Sequence, residues 1–120
     1  METLNYQELL VWQKAMKLTA IIYKLVKKLP KEELYCLSDQ MRRSVVSIPS
    51  NIAEGRNRNT KKELIHFLGI SRGSKSELET QLLVCVEVGY LEEVEILEAM
   101  DLLTEIGKML NAFIKKLRIE

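Results

Sequence analysis

The chain has little that breaks a helix. Its 120 residues include five glycines and two prolines, and that scarcity points to helix along most of its length. No apolar run approaches the roughly 20 residues that cross a bilayer, so no membrane partner is expected. Two cysteines, Cys36 and Cys85, are too few for a disulfide scaffold; in a chain rich in Lys, Glu and Leu they fit a reducing cytoplasm. Excess charge is missing as well. Eighteen Lys+Arg stand against 17 Asp+Glu for a net +1, which disfavours both a chain basic all over and an acidic solvating tail. Met1 to Leu10 carries Glu2 and Glu8 and no Lys or Arg, unlike a secretory leader. What is present, 47% hydrophobic and 29% charged residues, describes a soluble globular protein, and the length suits one domain over residues 1–120.

Four segments show helical periodicity. The first is expected to start near Asn5, capped by its side chain, with Glu8 reaching back to the open amides and Leu4 and Leu9 as a hydrophobic staple. Its stripe Val11, Ala15, Leu18, Ile22, Leu25, Leu29 keeps one face toward a core, and Pro30 ends it. A second stripe, Leu9, Trp12, Met16, Tyr23 and Val26, runs beside the first. That is more apolar surface than a monomeric bundle needs, and it marks Leu9, Trp12, Met16 and Tyr23 as a candidate oligomer interface, unless the wide face simply packs two neighbours at once. The second segment is expected from about Lys31, with the stripe Leu34, Leu37, Met41, Val45, Ile48, Ile52. Pro49 should kink it without ending it, because the apolar period continues, and Gly55 reads as its stop. The third opens on the capping pattern Thr60 to Glu63 and runs to about Val88, with Leu64, Phe67, Leu68, Ile70, Leu78, Leu82 and Cys85 inside. Its small residues Gly69, Ser71, Gly73, Ser74 and Ser76 would let a neighbouring backbone come close. The fourth starts near Glu92 on the stripe Ile96, Met100, Leu103, Ile106, Leu110, Phe113, Leu117. Short connections force antiparallel neighbours. The expected fold is therefore all-α, an antiparallel up-down-up-down four-helix bundle with a Pro-kinked second helix.

The sequence offers no catalytic set. A di-metal bundle needs a Glu-x-x-His element from each of two helices; Glu63-Leu64-Ile65-His66 is one such element and holds the only histidine, so no metal and no cofactor are expected. No glycines flank a nucleophilic serine, and no phosphate-binding glycine loop is present. The polar row Gln40, Ser44, Ser47, Asn51, Glu54 on the second segment could face Ser71, Ser74, Glu77, Gln81 on the third. Such a seam is either a structural hydrogen-bond network built from Ser47, Asn51, Glu54, Ser74 and Glu77, the favoured reading, or a paired-carboxylate site using Glu54 and Glu77.

Charge is unevenly placed. Arg42 to Lys75 holds eight basic residues and two acidic ones; Ser76 to Ile106 holds nine acidic and no basic residues. This is either an ordinary solvated surface with complementary patches or a phosphate-contacting site made by Arg42, Arg43, Arg56, Arg58, Lys61 and Lys62 around the connector between the second and third segments. Aromatic residues other than Phe67 are missing there, which disfavours base-specific reading of single strands.

The run Ser47-Ile48-Pro49-Ser50-Asn51-Ile52-Ala53-Glu54-Gly55 resembles the signature of the four-helix-bundle proteins encoded in intervening sequences of bacterial 23S rRNA genes. Tyr6 to Trp12 with Ala15, Leu29-Pro30, the approach Leu37, Gln40, Arg42, Arg43, Ser44, and then Phe67-Leu68, Gly73-Ser74 and Glu77-Leu78-Glu79 extend the likeness over nearly the whole chain. The resemblance implies an antiparallel four-helix bundle that assembles into a homopentameric ring, and a fold more than an activity. It also implies, through the similar accessory subunit of diversity-generating retroelements, that RNA and a reverse transcriptase are candidate partners. The same six basic residues would then be the RNA contacts. The expected function is a non-enzymatic, cytoplasmic scaffold or RNA-associated accessory protein; the alternatives are a protein-interaction module without nucleic acid and, behind it, a metal-binding bundle enzyme.

Overall fold

A computed structural model describes residues 5–120. The chain forms four α-helices, α1 Leu10–Val26, α2 Leu37–Arg56, α3 Lys61–Glu87 and α4 Glu93–Ile119. Two short 3-10 turns, Tyr6–Glu8 and Lys31–Glu33, precede α1 and α2. The proposed staple partner Leu4 lies outside the described residues.

Pairs of residues fix the direction of each helix. Ser44 meets Glu77, Ser47 meets Ser74 and Ile48 meets Ser71, so α2 and α3 run antiparallel. Lys14 pairs with Glu105 and Lys28 with Glu95, so α1 and α4 do too. Arg72 reaches Asn111 and Lys75 lies on Gly107 between α3 and α4. Helices adjacent in sequence pack on one another, and α1 and α4 close the square. An even number of antiparallel helices brings the start of α1, the α2–α3 connector and the end of α4 to one end of the bundle.

The core follows the stripes. Ala15, Leu18 and Ile22 of α1 meet Met41, Val45, Ile48 and Ile52 of α2, Leu68, Leu78 and Leu82 of α3, and Leu103, Ile106 and Leu110 of α4, all fully buried. Each of these side chains other than that of Ala15 contributes about 1.5–3 kcal/mol through removal from water. Cys85 belongs to this set, 3.7 Å from the Met41 sulfur, and burial pushes its thiol up to about 11, so it packs as a neutral hydrophobe.

Several boundaries differ from expectation. Asn5 does cap, accepting from Gln7 N–H at 2.9 Å, but it caps the 3-10 turn; Leu9 is then extended and α1 starts at Leu10. The second helix begins six residues later than Lys31, since Lys31–Glu33 closes as a 3-10 turn, and Leu34 is exposed instead of buried. Glu33 supports α2 from outside: its Oε1 accepts from Leu37 N–H (3.3 Å) and its Oε2 from the Tyr90 hydroxyl (2.7 Å). The α-helix α2 runs on through Pro49, and Gly55 does not stop it; Asn57 caps it. Gly55 instead lets α3 approach, because a Cβ there would lie 2.8 Å from the Phe67 Cβ. Gly69 and Gly73 have nothing within 4 Å of such a Cβ, so they are not the close-approach points the small-residue run suggested. Ile70 is exposed, and not inside as its place in the apolar pattern predicts. Thr60 accepts from Glu63 N–H at 3.1 Å as a capping residue, while its hydroxyl donates to the Glu63 carboxylate. Gly89 supplies the left-handed residue (φ 84°) that ends α3, with Tyr90 N–H returning to Cys85 O.

Candidate functional site

The polar rows of α2 and α3 form a seam. Ser44 Oγ donates to Glu77 Oε1 at 2.8 Å, Ser47 and Ser74 hydroxyls meet at 2.8 Å, and Asn51 Nδ2 donates to both Ser47 O and Ser47 Oγ. Ser71, fully buried, donates to Ile48 O at 2.8 Å. Thus Ser47, Asn51, Ser74 and Glu77 come together. Glu54 does not join them: it is exposed and pairs with Arg58 at 3.1 Å. Ten residues of helix, about 15 Å, separate Glu54 from Ser44, the partner of Glu77, so the two carboxylates cannot share a proton or a substrate. The carbonyls served by the seam are those of Ser47 and Ile48, next to Pro49, and not that of Val45, whose usual donor Pro49 removes.

The six candidate phosphate contacts fall in two groups. Arg42 and Arg43 lie near the start of α2 and are engaged locally. Arg43 Nε pairs with Asp39 at 3.1 Å, and Arg42 Nη2 donates to Leu34 O at 3.2 Å. Arg56, Arg58, Lys61 and Lys62 stand at the other end, 13 or more residues further on. Arg58 is held between Glu54 and Glu63, its guanidinium 4.8 Å above the Phe67 ring. Arg56 is half-buried, with an Nε that has no hydrogen-bond partner among the described residues. Lys61 and Lys62 are exposed and, among the described residues, make no ion pair. They line a hollow of about 450 Å³ together with Ile65, Leu117 and Arg118. Arg118 was missed as part of this site. The signal was available, because four antiparallel helices must bring the end of α4 beside the start of α3.

His66 is exposed and packs edge-on against Phe67, with ring centroids 5.2 Å apart. Among the described residues no three His, Cys, Asp or Glu side chains gather as metal ligands. On α1, Leu9 and Trp12 are half-buried and Met16 and Tyr23 exposed. Trp12 and Met16 line a hollow of about 310 Å³ with Val46 and Pro49 of α2.

A feature that sequence periodicity did not single out lies on the opposite side. Thr80, Leu83, Val84, Ile96, Leu97 and Met100 line a groove of about 650 Å³ between α3 and α4, rimmed by Glu87 and Glu93. Its signal is the apolar run Leu82 to Val86, wider than the one stripe the core uses.

Comparison with known proteins adds two findings. The family model of the 23S rRNA-intervening sequence proteins matches residues 7–112. A crystal structure from Bacteroides thetaiotaomicron VPI-5482, described as a protein with unknown function from the S23 ribosomal protein family, superposes with a TM-score of 0.82 at 27% identity, covering 88% of this chain and 99% of that one. No curated protein matches the sequence. Within the structure, no helix among the described residues is long and apolar enough to cross a membrane.

Proposed function

The chain belongs to the 23S rRNA-intervening sequence protein family, and from that premise we propose that it acts as a non-enzymatic, homo-oligomeric four-helix bundle, a cytoplasmic scaffold that associates with RNA. The supporting observation is the cation end: Lys61, Lys62 and Arg118 surround one hollow, unmatched by carboxylates in its lining. A homopentameric ring, which the family resemblance implies, repeats that end on every subunit and turns a weak patch into a multivalent one. Because Arg42, Arg43 and Arg58 already have local acceptors, Lys61, Lys62 and Arg118 carry most of the proposed phosphate contact. A reverse transcriptase is a candidate partner by resemblance alone.

The test is RNA affinity measured by fluorescence anisotropy across a salt series. Binding should weaken with salt, and the double change Lys61→Glu and Lys62→Glu should lower affinity and flatten the slope by about one unit for each phosphate no longer neutralised. The double change Arg56→Glu and Arg58→Glu should act in the same direction, although losing Arg58 also removes its hold on Phe67. Salt-independent or absent binding would select the second reading, a protein-interaction module, which the α3–α4 apolar groove favours. The metal-enzyme reading requires a stoichiometric bound metal by elemental analysis.

A further inference from the structure

The bundle carries two apolar surfaces on opposite sides, and they differ in charge. The α3–α4 groove exposes Leu83, Val84 and Leu97 and is rimmed by Glu87 and Glu93, with no cation in its lining. The α1–α2 side exposes Tyr23, seven residues and two helical turns from Met16 on the same stripe. Beyond Tyr23 that side continues into a hollow whose charged lining is all basic and includes Lys27 and Lys31.

The two surfaces also stand at the same height. Lys28 pairs with Glu95 at 2.7 Å, which sets the end of α1 level with the start of α4. Tyr23 lies five residues before Lys28 and Met100 five after Glu95, so both sit about 7.5 Å along the bundle from that pair. Side-by-side copies related by an axis along the helices keep their heights. Tyr23 of one copy then faces the groove of the next, with Lys27 and Lys31 beside Glu87 and Glu93. The long face measures 49 by 24 Å, room for the about 800 Å² per partner of a stable interface.

We propose that the α3–α4 groove receives the Tyr23 ridge of a second copy, in a head-to-tail contact between side-by-side copies. The inference rests on the homo-oligomer reading above and names its two faces. Such a contact is heterologous: each copy offers one ridge and one groove. Opposite charges at the rim fix the direction of docking.

Sedimentation of Tyr23→Glu, Leu97→Glu, wild type and an equimolar mixture of the two variants tests it. Both positions are exposed, 41% and 55%, so each variant should keep its helical circular dichroism. Wild type should be oligomeric and each variant alone should run as a 13.9 kDa monomer. The mixture should give a one-to-one heterodimer, because the intact ridge of one variant fits the intact groove of the other. A variant that keeps the wild-type mass, or a mixture that stays monomeric, would overturn the groove contact while leaving the homo-oligomer reading in place. A monomeric wild type would overturn both. Should either glutamate variant lose helicity, Tyr23→Ala and Leu97→Ala take its place under the same criteria.

Discussion

At the scale of single residues, the glycines separate by what surrounds them. Gly73 is exposed in mid-helix with open space where a Cβ would go. Gly73→Ala should therefore stabilise the protein by up to about 1 kcal/mol in urea titration, the usual helix-propensity difference. Gly55→Ala should do the reverse by about 1–3 kcal/mol, because its new methyl meets the Phe67 Cβ and Leu64 O. The sequence presents both simply as glycines in helical segments; only the neighbour across the helix pair tells them apart. Asn51 is more legible. Its spacing from Ser47 already places it on the polar row, and the structure has it donating to Ser47 twice. Asn51→Leu should lower the thermal midpoint by the equivalent of about 1 kcal/mol. Unchanged melting would remove the seam's claim to a structural role. Glu54 has the same spacing, but it is exposed, and Arg58 four residues on captures its carboxylate.

At the scale of elements, helix interiors and the starts of α3 and α4 are readable from the sequence, and the starts of α1 and α2 are not. Acidic residues at Glu32 and Glu33 look like a first turn, yet Glu33 acts across the fold, clasping Leu37 N–H and the Tyr90 hydroxyl. No local pattern announces a partner 57 residues away. The clasp has a pH signature. Its hydrogen bond to Glu33, with burial and the nearby carboxylates, pushes Tyr90 up to about 12. A phenol raised from about 10 contributes stability that is fully present below pH 10 and lost as pH climbs toward 12. Alkaline melting curves should show that loss in wild type and a weaker one in Tyr90→Phe. Glu95 gives the acid counterpart. Its bond from Lys28, then that from Glu92 N–H, hold its carboxyl below the usual glutamate range. The stability it adds is present above that range and disappears as pH falls through its lowered value. Thermal midpoints of Glu95→Gln should accordingly converge on those of wild type in strong acid.

At the scale of the whole molecule, the bundle and its antiparallel order were legible because period, caps and short connectors all agree. The distribution of charge was legible only as a list. Spread over eight basic residues from Arg42 to Lys75, it reads as one patch; folded, Arg42 and Arg43 are engaged locally on α2, Arg72 and Lys75 turn to Asn111 and Glu79, and the rest stand at a cation end shared with α4. The apolar groove was hidden for a related reason, since its two walls come from different helices. On the proposed reading, self-assembly and RNA association are linked. Leu97 lies near the start of α4, away from the cation end, yet Leu97→Glu should weaken RNA binding about as far as multivalency had strengthened it, 10-fold or more by anisotropy. A monomeric Leu97→Glu with wild-type affinity would uncouple the two.

The return of four helices to one end also has a practical consequence for handling the protein. An affinity tag or fluorescent fusion after Glu120 follows α4 directly and starts two residues from Arg118, beside Lys61 and Lys62, where it would shield phosphate or add charge of its own. Labels are better carried by the opposite pole, on the exposed Tyr35–Cys36 corner, where the thiol of Cys36 is open to maleimide while Cys85 stays sealed in the core.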